Sequence, residues 1–129
     1  MFFIGQESLI KNLVNEIRNE LRVLGSITAR GLALFAIDGR LLYLDMTEDI
    51  RARLNVFIPS FPVLTVGSNI TVNIGDKALL IMRVSERMVL AIFSDQRVGV
   101  VLTMMSSLTK KYDEKFDKAV EASEENKPT

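Results

Sequence analysis

Thr47–Val66 reads TEDIRARLNVFIPSFPVLTV, and how this stretch is read decides the fold. Thr47 ahead of Glu48 and Asp49 makes a helix start: a hydroxyl to accept a free amide, then negative charge at the positive end of the helix dipole. At about 100° per residue, Ile50, Leu54, Phe57 and Phe61 fall on one face. That face needs a sheet or a core beneath it. The opposite side is not polar either. Ala52, Val56, Pro59 and Val63 form a second, smaller apolar stripe, and the stretch carries no charge after Arg53. A surface helix should be wet on its outer side, so a second partner is expected. Pro59 lacks the amide that would bond the carbonyl of Asn55, and it disfavours helical geometry at Ile58. The helix therefore ends near Ile58 and restarts, or kinks there. Pro62 makes the chain irregular from that point until Gly67 and Ser68 close the segment.

Upstream, Leu41–Met46 reads as a strand, with Leu42, Leu44 and Met46 on one side and Leu41, Tyr43 and Asp45 on the other. The tight turn Asp38-Gly39, where a positive φ is tolerated, joins it to a strand from Ile27 to Ile37. That strand turns apolar in both phases after Gly31, as expected when both faces are covered. Before it, Gln6–Leu24 carries Leu9, Ile10, Leu13, Val14, Ile17, Leu21 and Leu24 at helical spacing, with a solvated mixed-sign side and Gly25 as its C-terminal cap.

Downstream, Asn69–Ile74 sets Ile70, Val72 and Ile74 against Asn69, Thr71 and Asn73. One polar face places this strand at a sheet edge. Gly75-Asp76 turns it into Lys77–Val84, and Ser85–Arg87 turns that into Met88–Phe93; both are apolar in both phases and belong in the sheet centre. Asp95 is expected to cap a last helix along Val98, Val101, Met105, Leu108 and Tyr112, extended by Phe116, Ala119 and Val120. Gly99 is expected to let that helix approach the sheet. The methionines Met82, Met88, Met104 and Met105 read as core filling. The predicted fold class is α+β, three layers α/β/α around a five-stranded antiparallel sheet, in the order helix-strand-strand-helix-strand-strand-strand-helix. Residues 1–120 are expected to form the single domain and 121–129 a flexible polar tail.

Composition narrows the function. The chain has 129 residues, 48% hydrophobic and 25% charged, which suits one folded domain. Sixteen basic and sixteen acidic residues balance, so nothing favours nucleic acid as a partner. With no cysteine there is no disulfide or thiolate metal site, and with no histidine the commonest general base and zinc ligand are missing. Met1-Phe2-Phe3-Ile4 is too short an apolar run for a signal peptide or membrane span, so a cytoplasmic location is expected.

The leading helix, the hairpin through Ile37-Asp38-Gly39-Arg40-Leu41-Leu42, the middle helix and the three-strand meander together resemble the Roadblock (dynein light chain) family, prokaryotic type. The meander runs through Ile70–Ile74, Gly75-Asp76 and Lys77–Ile81 to Leu90–Asp95, and then enters Val98-Gly99-Val100-Val101. The resemblance covers Glu7 to about Tyr112; Pro59 and Pro62 depart from the pattern. It implies a homodimer or heterodimer, with sheets joined edge to edge and middle helices side by side. Ala52, Val56, Pro59 and Val63, with the open edge strand Ile70, Val72 and Ile74, would then form the dimer interface; the alternative is that the stripe touches its own loops. It also implies binding of a Ras-like small GTPase, as an activator, or passive scaffolding of a motor, trafficking or signalling complex, with another Roadblock-domain protein as a further partner. Arg51, Arg53 and Asn55 are the first candidates for partner contact.

Little points to an enzyme. No glycine-rich run ends in Gly-Lys-Ser or Gly-Lys-Thr, so nucleotide binding by this chain is not expected. Asp45, Glu48 and Asp49 cluster at a strand-to-helix turn, where helix capping accounts for them more simply than acid–base work or magnesium. Asp113, Glu114 and Asp117 alternate with Lys110, Lys111, Lys115 and Lys118 as a solvated, salt-bridged face. No catalytic residue, cofactor or metal site is predicted, and a small-molecule sensor would need a pocket that this core does not advertise.

Overall fold

In the computed structural model of the chain, residues 2–95 and 97–125 are described. Helix α1 (Phe2–Gly25) leads into strands β1 (Gly31–Ala36) and β2 (Leu41–Asp45). Helix α2 (Glu48–Asn55) and a 3-10 helix (Ile58–Val63) come next, then β3 (Asn69–Ile74), β4 (Lys77–Arg83), β5 (Met88–Ser94) and helix α3 (Val98–Glu125). The strands form one antiparallel sheet in the order β2-β1-β5-β4-β3. The three strands that read as apolar in both phases, β1, β4 and β5, occupy its centre, and helices cover both faces.

The pleat divides the core in two. Leu32, Leu34 and Ala36 of β1, with Leu80, Met82, Leu90 and Ile92, face α1 and α3. Ala33 and Phe35, with Leu79, Ile81, Val89 and Ala91, face α2 and the 3-10 helix. The four core methionines are buried as expected. Helices α1 and α3 pack side by side, and α3 buries Val101, Met105, Leu108, Phe116, Ala119 and Val120 along its length. At the α1 stripe's two ends the pattern fails: Leu9 and Leu24 are exposed.

Several expectations need correction. In β2, Leu42 and Tyr43 both pack on the α1/α3 side, while Leu44 and Met46 pack on the other. The register shifts between Leu34 and Phe35, and such an irregularity sets two residues against one, so strict alternation breaks at Leu42. Helix α1 starts at Phe2 rather than Gln6, and residues 26–30 are a connector rather than strand. Ile27 donates its backbone N–H to the carbonyl of Leu21 at 2.9 Å and Arg30 to that of Phe93 at 2.9 Å, so the sheet ladder begins only at Gly31. Asp95 is not the cap of α3, which opens three residues later; its carboxylate instead accepts from the Arg30 guanidinium at 2.6 Å. Gly99 has nothing within 4 Å of where a Cβ would stand, so it serves no close approach.

The C-terminal helix also departs from expectation. It runs to Glu125, so residues 121–125 are helical rather than a loose tail; 126–129 lie outside the described residues. Arg40 donates through Nη2 to Oγ of the buried Ser123 at 2.6 Å, which fastens the last turns of α3 to the β1–β2 turn. The charges of α3 are not a self-contained solvated face. Lys111 reaches Glu20 at 2.8 Å and Lys115 reaches Glu16 at 3.0 Å, both across to α1, while Asp117 accepts the Arg87 backbone N–H at 3.1 Å. Charges at helical spacing can pair along their own helix or across to a neighbour, and here the neighbouring helix won.

Candidate functional site

The middle segment breaks where its prolines require. Helix α2 ends at Asn55, residues 56 and 57 turn, and the 3-10 helix starts at Ile58 with Pro59 in its first turn, where the missing amide would have no partner anyway. Three-residue bonds carry the chain through: Phe57 to Leu54 at 3.0 Å, Ser60 to Phe57 at 2.9 Å and Leu64 to Phe61 at 3.1 Å. This is an end and restart, not a kink. The hydroxyl of Thr47 makes no capping bond, contrary to expectation; its extended backbone and its carbonyl, which accepts from Arg51 at 2.9 Å, open the helix, with Glu48 and Asp49 in the first turn.

The inner face is as read: Ile50, Leu54 and Phe61 are buried and Phe57 is half-buried. Phe61 meets Phe35 edge-on, with ring centroids 5.4 Å apart at 65°, a favoured aromatic geometry. Gly39 in the β1–β2 turn has φ +95°, and a Cβ there would stand 2.6 Å from Cγ2 of Ile58, so the turn and the 3-10 helix meet because that position has no side chain. Arg83, which sequence reasoning passed over, anchors the far end. Its guanidinium donates to the carbonyls of Leu64 and Glu86, each at 2.6 Å. A single arginine ending an apolar strand gave no signal of that role.

The outer side is bare. Ala52, Val56, Pro59 and Val63 are all exposed, Val56 to 72% and Val63 to 80%. On the same side of the sheet, Ile70, Val72 and Ile74 of β3 are half-buried against the second core. The outer edge of β3 pairs with no other strand. The structure thus brings the seven proposed interface residues to one side of the molecule. Arg51, Arg53 and Asn55 are exposed but do not form one patch. At 100° per residue Arg51 and Asn55 share one flank of the Ala52–Val56 line, and Arg53 stands on the other.

Asp45 accepts from Arg18 of α1 at 2.6 Å, Glu48 and Asp49 are exposed, and among the described residues no group of three or more acidic side chains is placed to hold a metal ion. Among the described residues no helix is long and apolar enough to cross a membrane.

No protein-family model matches the chain, and no curated protein matches it. Among solved structures it is similar to an MglB with tetrameric arrangement, with 14% identity over 84% of this chain and 90% of that one and a TM-score of 0.61. It is also similar to Myxococcus xanthus MglB, with 16% identity over 81% and 90% and a TM-score of 0.55. At such identities the likeness is one of fold, spread over nearly the whole of each chain. Those neighbours have the longin/Roadblock fold, and the open five-stranded sheet with helices on both faces gives this chain the same fold.

Proposed function

We propose that the chain is a non-catalytic, cytoplasmic homodimeric platform that binds a Ras-like small GTPase and speeds its GTP hydrolysis. The observation that carries the dimer is the bare stripe Ala52, Val56, Pro59 and Val63 standing on the same side as the open β3 edge. Exposed valines at 72% and 80% in one short segment form an apolar surface of the kind that marks protein contact. A second copy supplies both a matching stripe and a matching edge, as an isologous contact requires. The GTPase link rests on the Roadblock resemblance and on the fold shared with MglB. Activation would proceed by reorganising the GTPase's own switch regions, since Arg51 and Arg53 lie on opposite flanks and neither is held as an inserted finger.

The test is the solution mass of the full chain, alone and with Val56→Asp, and then phosphate release from a cognate GTP-loaded small GTPase. A dimer that Val56→Asp splits, and faster release with the intact dimer, are expected. A monomer at micromolar concentration sinks the dimer. Binding without a rate change leaves a passive scaffold, and no binding removes the GTPase reading.

A further inference from the structure

On the opposite side of the sheet, three adjoining hollows form a grooved surface along the connector between α1 and β1, sharing Ile27, Thr28, Ala29 and Asp95 among their linings. One, about 480 Å³, lies against α1 and is lined by Arg18, Arg22, Ile27, Thr28 and Ala29 among others. A second, about 330 Å³, is lined by Thr28, Ala29, Arg30 and Asp95. A third, about 320 Å³, lies beside Gly25 and Ile27, with Arg97 and Val100 at the start of α3.

The charge along this groove is one-sided in a chain whose net charge is zero. Arg18 is paired with Asp45 and Arg30 with Asp95, each at 2.6 Å. Arg22 donates to the neutral amide oxygen of Asn19 at 2.9 Å, and among the described residues neither Arg22 nor Arg97 meets a carboxylate. Four arginines against two aspartates leave two positive charges unbalanced, Arg22 at the hollow against α1 and Arg97 at the start of α3. Val23 and Leu24, 63% and 61% exposed, stand at the end of α1, and Val100 is exposed on the rim.

We infer that this groove docks an acidic peptide segment of a partner protein, with carboxylates at Arg22 and Arg97 and an apolar side chain on Val100. The occupant's charge is set by complementarity: arginine guanidinium groups bind carboxylates through two donors, and the fixed Arg18 and Arg30 pairs hold the walls in place. A single-stranded nucleic acid fits less well. Among the described residues the groove is lined by no aromatic side chain for bases to stack on, and the carboxylate of Asp95 repels phosphates. The site lies on the α1/α3 side and does not depend on the dimer or on the GTPase reading.

The test pans a random-sequence peptide library displayed on phage against the full chain and measures recovered peptides by fluorescence anisotropy. Recovered peptides should carry Asp or Glu interleaved with apolar residues, and should bind less well as salt rises. The double variant R22E/R97E, whose folding is checked by its melting curve, should bind them about tenfold more weakly. Peptides with Lys in place of Glu should regain affinity for that variant. Val100→Asp should weaken the acidic peptides as well, whereas Val56→Asp should leave them untouched. Recovery of neutral or basic peptides, equal binding by R22E/R97E, or preference for single-stranded RNA over the acidic peptides would overturn the inference.

Discussion

The two faces of the sheet are closed to very different degrees. Among the described residues, twenty-three are buried on the α1/α3 face and six more pack half-covered around them; on the α2 face, nine are buried and nine are half-covered. The first face lies under two helices of 24 and 28 residues, the second under an 8-residue helix and a 6-residue 3-10 turn. Two long helices can complete a core alone. A short interrupted segment cannot, and of the side chains it leaves half-covered, Ile70, Val72 and Ile74 lie on the open edge strand. The difference fits the proposed dimer: one face is complete within a single chain, and the other leaves apolar surface on which a second copy would sit.

The largest expected effect probes that division with the same change on each side. Phe116→Ala empties a site locked between helices and sheet, and should lower unfolding free energy in urea by about 3–5 kcal/mol. Phe61→Ala removes an equally buried ring, but the segment above it is two short turns that can relax into the gap. Its loss should fall at or below the low end of that range. Equal losses would break the comparison.

Val56→Asp comes next. In dilute protein it should change monomer stability by no more than about 0.5 kcal/mol, because the side chain touches little of its own chain. A dimer adds stability with concentration, so the wild type should melt higher as concentration rises and the variant should not. A loss in dilute Val56→Asp comparable to a core truncation would mean that the stripe belongs to the chain's own core.

How far the sequence reveals this depends on whether the governing contact is periodic. The sheet, its central strands and the two-faced middle segment were all legible, because burial on a pleat or helix imprints a repeat on the residues. The edge position of β3 was legible from Asn69, Thr71 and Asn73, since a polar face has no place under a helix. Contacts made by single side chains were not. Asp95 reads as a cap until Arg30 comes within reach across sixty-five positions, and nothing local marks Arg83 as the anchor of the 3-10 helix or Arg40 as the tie to Ser123. The bulge that moves Leu42 to the other face is equally silent, because it depends on the register with β1. Of the candidate site, the exposure of Ala52, Val56, Pro59 and Val63 follows from the second apolar stripe, and the same 100° per residue sets Arg53 on the other flank from Arg51 and Asn55.

A smaller effect concerns how the closed face is fastened. The Lys111 ammonium and the Tyr112 hydroxyl both bond Oε1 of Glu20, at 2.8 and 3.0 Å, and hold its carboxyl below the ordinary value of 4.5. Glu20 in turn lifts Lys111 above its ordinary 10.5. A carboxyl whose pKa falls on folding adds stability that is complete above its ordinary value and is lost as pH drops through the lowered one; an amine raised on folding adds stability below its ordinary value and loses it as pH climbs through the raised one. Glu20→Gln should therefore be less stable than the parent between those two ordinary values, with the gap closing in acid. A gap that stays constant down through the acid limb would mean that Glu20 acts by packing rather than by charge.

The smallest effect comes from Gly99, in the first turn of α3 on the outside of the closed face. It has no positive φ, and a Cβ there would meet nothing within 4 Å. Alanine restricts the unfolded chain and favours the helix, so Gly99→Ala should stabilise the protein by up to about 1 kcal/mol, less if the helix end frays. Thr103 donates its hydroxyl to the Gly99 carbonyl at 2.8 Å, a bond that the added methyl leaves in place. Thermal melts at several protein concentrations are the measurement. A gain that is the same at every concentration fits a face that is complete in one chain. A loss that grows with concentration would mean that this turn packs against a second molecule, and the division between a closed face and an open one would fail.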